Sequence, residues 1–333
     1  MKSKTPPVIL AGDLGGTKTV LALFREVSGR LESLREEVFR SQEFPQFEQV
    51  LERFLAHGRP VRIQAACLGV AGPVRDGRCR TTHLPWFLDE KKLAKDLGVR
   101  VVRLLNDLEA MAYGILFLHP SQLAVLHKGN PPQQKSNLAV IAAGTGLGEA
   151  LLCWEGRNYL PMASEGGHVD FAPQTDREIE LFRFLRSEYG HVSYERILSG
   201  PGILNIYRFL RDTGFAAEPV WLRKRLQNSD PGPTITEIGI HQGHKLCTET
   251  LALFAALYGA EAGNLALKTL SWGGIYVGGG IAPKIMDKLK DGTFLKAFLN
   301  KGRYSSLMKK IPLKVALDSR VGLIGAAHYA LRF

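Results

Sequence analysis

Six short stretches of this chain carry residues that could do chemistry. The first is "GDLGGT" (Gly12–Thr17), which sets Asp13 and Leu14 ahead of Gly15, Gly16 and Thr17, between two apolar runs. The second is "AGTGLG" (Ala143–Gly148), with Gly144, Thr145, Gly146 and Gly148 in a like setting. Phosphate oxygens need converging backbone N–H groups, and only residues without a bulky Cβ let the backbone come that close. Neither turn is a Walker loop, because the GxxxxGK[ST] pattern is missing. The glycines at 144, 146 and 148 only half fit a dinucleotide fingerprint, and an apolar strand pattern follows them instead of a helix. The pair suits two hairpin turns that face each other across a cleft and grip one nucleotide's phosphates. A nucleoside triphosphate arrives with Mg²⁺, a hard cation that takes carboxylates and water, and Asp13 is placed to hold that ion or its waters. The plainer reading of Asp13 is a turn-forming residue.

"LLND" (Leu104–Asp107) puts Asn106 and Asp107 at the carboxyl end of a strand pattern. That edge is where α/β folds carry their chemistry, and the same two residues can also cap a following helix. "SEGGHVDFAP" (Ser164–Pro173) clusters Glu165 and His168 around a Gly-Gly turn, and "HVSYERILSG" (His191–Gly200) adds Glu195. Carboxylates, an amide and an imidazole supply the directional donors and acceptors that polyol hydroxyls need. Ile275–Val277 reads as a short apolar strand ending in Gly278, Gly279 and Gly280.

The elements that must position these groups alternate between strand and helix. Strand patterns fall at Val8–Gly12, Val20–Phe24, Arg62–Val70, Val99–Leu105 and Leu138–Ala143. Phe47, Val50, Leu51, Phe54 and Leu55 form one apolar helix face that ends at Gly58. Thr175-x-x-Glu178 is a capping box that opens a helix to Tyr189. His244–Leu270 reads as a long buried helix, and Val321–Leu331 as a C-terminal one. The alternation predicts an α/β class. "VILAGDLGGTKTVLALF" and "LAVIAAGTGLGEALLCW" share one plan of strand, glycine-threonine turn and strand. This predicts one hairpin unit used once in each of two domains.

Bulk properties bound the rest. The 333 residues carry a net charge of +11. The charge is spread thinly, with its densest spots at Trp221–Gln227 and Met308–Lys314, and neither has the interleaved aromatics of a nucleic-acid surface. The four cysteines, Cys67, Cys79, Cys153 and Cys247, form no CxxC pair, which argues against structural zinc or a disulfide framework and suits a reducing cytoplasm. Lys2 and Lys4 precede an apolar run too short for a signal peptide, and no later run reads as a membrane span.

These motifs, in this order, resemble the bacterial ATP-dependent glucokinases of the hexokinase-like, actin-type ATPase superfamily. "GDLGGT", "LLND", "AGTGLG", "EGGHVDFAP" (Glu165–Pro173), Glu195–Gly202 and Gly278–Pro283 carry the resemblance, which spans about Val8 to Ala330. It implies a two-domain, ribonuclease H-like α/β fold with an interdomain cleft. Residues 1–115 with 318–333 would form a small domain and 116–317 a large one, with the C-terminal helix returning to the small domain. It implies glucose and MgATP as substrates and a cytoplasmic homodimer, with neither nucleic acid nor membrane as partner. The cleft would close over the substrates and keep water out. Asp107 would be the general base on the sugar's 6-hydroxyl. Asn106, Glu165, His168 and Glu195 would hold the other hydroxyls, and Gly278–Gly280 would lie near the adenosine. A kinase for another hexose, a different phosphoryl donor, and a sugar sensor without turnover remain open alternatives. Two departures stand out. The family's Thr-Asn before a Trp is here Thr81-Thr82-His83 before Trp86. Lys18 follows "GGT" as in the repressor/open-reading-frame/kinase (ROK) group, yet "VDFAPQ" after His168 lacks that group's Cys-rich zinc motif.

Overall fold

The computed structural model describes residues 8–58, 61–132 and 134–333, so Lys2 and Lys4 lie outside the described residues. The chain divides into two compact units. Unit 1 comprises residues 1–120, 157–163 and 318–333, and unit 2 comprises 121–156 and 164–317.

Unit 1 is built on β1 (Val8–Leu14), β2 (Lys18–Val27), β3 (Arg30–Arg40) and β4 (Ile63–Val70). Three short strands, β5 (Val74–Arg75), β6 (Arg78–Arg80) and β7 (Phe87–Asp89), make a small separate sheet, and β8 (Val101–Asn106) completes the main one. The main order is β3-β2-β1-β4-β8, with β1, β4 and β8 parallel and β2 and β3 antiparallel. β1 and β4 are nearly all apolar because both faces of the sheet are covered. Helix Phe47–Ala56 buries Phe47, Val50, Leu51 and Phe54 on one face together with Trp86 and Leu93, while Leu55 stays exposed at the edge of that stripe. On the other face lies helix Val321–Ala330, whose Leu323, Ala326, Ala327 and Ala330 pack on Ile9, Ala11 and Cys67. It crosses helix Asp107–Ile115 closely. A Cβ on Gly114 would come 1.9 Å from the Val321 carbonyl, and one on Gly325 would come 1.8 Å from that of Ala110. β3 is absent from the sequence reading. Its run of Glu and Arg resembles a polar linker, but charge is what a sheet-edge strand carries to resist pairing with another chain.

Unit 2 contains β9 (Leu123–His127), β10 (Leu138–Ala143) and β11 (Leu147–Trp154). β12 (Tyr159–Ser164) is divided between the units, and β13 (Gly274–Gly278) and β14 (Leu313–Ala316) follow. Within unit 2 the order is β11-β10-β13-β14-β9. β10 and β11 form an antiparallel hairpin, and β10 and β13 run parallel. β1, β2 and β4 show the same arrangement in unit 1, so the repeated hairpin read from the sequence is present in both sheets. Helix Lys245–Thr269 has the length and hydropathy of a membrane span, which the sequence reading did not anticipate. Here it is a core helix, with Leu246, Leu251, Phe254, Tyr258, Ala262 and Ala266 buried in the unit 2 cluster. In helix Asp176–Tyr189 the Thr175 hydroxyl accepts from the Glu178 N–H, but the Glu178 carboxylate accepts from Gln174 N, one residue outside the expected box.

Candidate active site

In unit 1 three parallel strands end together. Leu14 pairs with Val70, and Val70 with Asn106, so β1, β4 and β8 present one carboxyl edge. Asn106 caps the helix that starts at Asp107. Its Oδ1 accepts from Leu108 N at 2.9 Å, and the Glu109 carboxylate accepts from Asn106 N at 2.9 Å. The Asn106 amide also donates to the Gly72 carbonyl at 3.2 Å, so capping and placement coexist in one side chain. Asp107, half-buried at the first helical position, takes the Leu108 N–H on Oδ1 at 2.9 Å. Burial, together with the Asp107 charge, pushes the Cys79 thiol up to about 11, so Cys79 stays a neutral neighbour.

The turn after β1 is braced from one side. Gly15 N donates to Lys18 O at 3.0 Å, Ser41 Oγ donates to Gly15 O at 2.7 Å, and Ser41 N donates to Thr17 O at 3.0 Å. In a planar trans peptide the N–H points opposite the C=O. With the carbonyls of Gly15 and Thr17 drawn to Ser41, the N–H groups of Gly16 and Lys18 face the other way, as an anion-binding turn requires. Gly16 is needed because a Cβ there would meet His83 Cβ at 2.8 Å, and Gly12 because one there would meet Leu68 Cδ2 at 2.6 Å. Asp13 is half-buried, and burial raises its carboxyl above the usual range while Lys18 opposes that rise. A cation beside it would relieve that desolvation. No group of three or more His, Cys, Asp or Glu exists among the described residues that could hold a metal by itself. The donor set therefore fits an ion that keeps its waters and phosphate oxygens, as Mg²⁺ does.

In unit 2 the turn after β10 follows the same logic. Gly144 N donates to Gly146 O at 2.8 Å, and Gly200 N donates to Gly144 O at 2.8 Å, so the Thr145 N–H faces away from the Gly200 side. Leu147 N donates to Glu195 Oε2 at 2.9 Å, and a Cβ on Gly146 would lie 2.4 Å from that oxygen. Glu195 Oε1 lies 3.9 Å from His168 Nδ1. Glu165 and His168 are both exposed, at either end of a single 3₁₀ turn over Gly166–His168. Gly279 has φ +80, and its Cα packs against Ala143 O, where a Cβ would come to 2.3 Å. The buried Tyr258 hydroxyl accepts from Ala143 N at 3.1 Å and reaches the carbonyls of Ile141 and Gly278 at 3.2 and 3.4 Å. Unit 2 thus gathers Gly144–Gly146, Gly278–Gly280, His168 and Glu195, while unit 1 gathers Gly12–Thr17, Asn106 and Asp107.

Sequence reasoning missed Ser41, Tyr258 and the bracing role of Ser199-Gly200. The Ser-Gly-Pro-Gly run was a readable signal, since Ser199 caps helix Gly200–Asp212 by accepting from Gly202 N at 3.0 Å. Ser41 and Tyr258 act across 26 and 115 residues of chain, and no local pattern marks them.

Residues 10–333 match the profile of the Glucokinase family. The chain belongs to the glucokinase family. A glucokinase of Nostoc punctiforme is 40% identical over 339 residues, covering 98% of this chain and 99% of its own. The crystal structure of a glucokinase from an Antarctic psychrotroph superposes with a TM-score of 0.84 at 29% identity, covering 98% of this chain and 99% of that one. A ROK family glucokinase from Streptomyces griseus, solved in complex with glucose and AMPPNP, shares the fold at a TM-score of 0.63 and 21% identity, covering 98% of this chain and 100% of that one. The glucokinase family and its structural neighbours bear out the expected α/β, actin-like ATPase fold class, and the protein is an enzyme of the hexose kinase kind.

Proposed function

We propose that this glucokinase-family enzyme transfers the γ-phosphoryl of MgATP in line to O6 of D-glucose, giving glucose 6-phosphate and ADP. Such transfers ask the protein for positioning and charge stabilisation, with little covalent chemistry. Asp107 accepts the O6 proton. Asn106, Glu165, His168 and Glu195 take the remaining hydroxyls. The outward N–H groups of the Gly15–Thr17 and Gly144–Gly146 turns, those of Gly16 and Thr145 among them, take phosphate oxygens, and Gly278–Gly280 lies by the adenosine. Mg²⁺, when bound, neutralises charge on the transferring phosphates, and Asp13 orients its waters. The enzyme works in the cytoplasm as a homodimer.

The observation that carries this reading is the placement of Asp107 at the carboxyl edge of the unit 1 sheet, on the strand row that also holds the Asp13 turn. The names of the relatives, and the glucose and AMPPNP in the Streptomyces griseus structure, support it. Coupled ADP release, measured with a panel of hexoses against ATP, tests it. Glucose-dependent ADP release that requires Mg²⁺ is expected, and ADP release indifferent to any sugar would overturn the reading.

A further inference from the structure

Among the described residues of unit 2, Glu149 and Glu261 are the two charged ones with essentially no exposure, at 1% and 0%. They come from β11 and from helix Lys245–Thr269. Glu261 is fully served: Oε1 accepts from Lys268 Nζ at 3.0 Å, and Oε2 from Asn264 Nδ2 at 2.7 Å. Asn264 is fixed in turn by Lys301 Nζ at 2.6 Å, and it also donates to Tyr194 OH at 3.0 Å. Glu149 is not served in this way. Its Oε1 is buried without a hydrogen-bond partner among the described residues. Its Oε2 lies against Gly166, where a Cβ would come within 2.0 Å. A buried polar atom left in that state calls for an explanation.

The strand supplies one. Leu147 and Glu149 are two residues apart on β11 and therefore share a face. Gly167 packs on Leu147, where a Cβ would come 2.0 Å from the backbone oxygen and 3.1 Å from the Leu147 Cβ, and the Glu149 carboxyl lies under Gly166. The Leu147 N–H meanwhile holds Glu195. One short run of β11 thus carries the whole Gly166–His168 turn. We propose that Glu149 is a positioning residue: its buried carboxyl is the seat of the turn that presents Glu165 and His168 to the sugar. The proposal rests on the reading that those two residues hold the sugar.

The surrounding charges agree. Burial first, and then the neighbouring Glu261 carboxylate, push the Glu149 carboxyl up to about 8, with Lys268 opposing. The titratable groups near the pair are Glu261, Lys268, Tyr194, Tyr258 and Lys301. Of the two lysines, only Lys268 bonds a carboxylate, since Lys301 Nζ bonds the Ala260 carbonyl and the Asn264 amide. Neither lysine bonds Glu149, so its carboxyl lies beside Glu261 with no cation of its own. As pH rises through the Glu149 value, the pair gains a second negative charge and the seat loosens.

The test uses the full-length wild type, Glu149→Gln, Glu149→Ala and His168→Ala. KM for glucose and for ATP, kcat and thermal midpoint are measured from about pH 6 to about pH 9, on both sides of the Glu149 carboxyl at about 8. In the wild type, KM for glucose is expected to rise on the alkaline side while KM for ATP stays level. Glu149→Gln, a neutral isostere, keeps the neutral-pH KM and abolishes the alkaline rise. Glu149→Ala raises KM for glucose by about tenfold to a hundredfold at every pH, as a displaced positioning group does. An alkaline rise unchanged in Glu149→Gln overturns the proposal even if Glu149→Ala does not fold. Glucose KM unchanged in His168→Ala overturns the sugar-site reading and the proposal with it. A weakened His168→Ala beside unaffected Glu149 variants overturns the proposal alone.

Discussion

Asp13 and Asp107 stand at one edge of the same sheet. Leu14 and Asn106 each pair with Val70 from either side, so the two carboxylates belong to the ends of parallel strands separated by one strand. At a strand spacing of about 4.8 Å, their strands are about 10 Å apart. That is the room the proposed transfer asks for, with Asp13 on the metal side and Asp107 on the hydroxyl side. Their environments differ. Burial raises the Asp13 carboxyl above its usual range, and Asp107 opens a helix and takes the Leu108 N–H on its own oxygen.

Asp107→Ala should lower kcat by about 10²–10⁴ while glucose still binds, because a general base contributes to the transition state far more than to the ground state. Steady-state kinetics with a direct glucose titration checks this. Near-normal turnover removes Asp107 from the role.

Asp13→Asn should raise the Mg²⁺ concentration needed for half-maximal activity by about 10–100-fold, the usual effect of losing a group that orients a metal's own ligands. The same change should stabilise the fold. Asp13's folded pKa is raised, so its stabilising contribution is complete below its ordinary value of 3.8 and is lost as pH rises through the folded value. Burial penalises the charged carboxylate, and the neutral amide escapes that penalty. Calorimetry at pH 7 should show a thermal midpoint about 1–4 °C higher, and a lower one contradicts the account.

Gly146→Ala places a methyl 2.4 Å from Glu195 Oε2. Glu195 must shift, and Leu147 N loses its acceptor. KM should rise for both ATP and glucose, with kcat/KM down by about 10²-fold. A defect confined to ATP would show that Glu195 does not link the turn to the sugar.

Tyr258→Phe removes the hydroxyl that ties Ala143 N to the carbonyls of Ile141 and Gly278. Leaving that buried N–H unmet should cost about 1–3 kcal/mol in urea unfolding. The loss should appear in KM for ATP before KM for glucose, since the tyrosine lies between the second glycine turn and Gly278–Gly280. An equal effect on both would detach it from the nucleotide side.

The sequence by itself determined what is local. Apolar runs made β1, β4 and β10 strands, the 3.6-residue spacing of Phe47, Val50, Leu51 and Phe54 made a helix, and Asn106 was legible as a cap because capping depends on residues within one turn. The glycine turns were legible because backbone that must come close to a neighbouring group demands residues without a Cβ, as at Gly16 and Gly146. The tertiary structure alone decided what depends on distant partners. It drew the Gly15 and Thr17 carbonyls to Ser41, seated Gly166 on Glu149, gave Leu147 N to Glu195, and made charged Arg30–Arg40 a sheet edge. A spacing rule reports which residues share a face of one element. Which other element covers that face is settled only when the whole chain competes to bury its apolar surface and satisfy its polar groups at once.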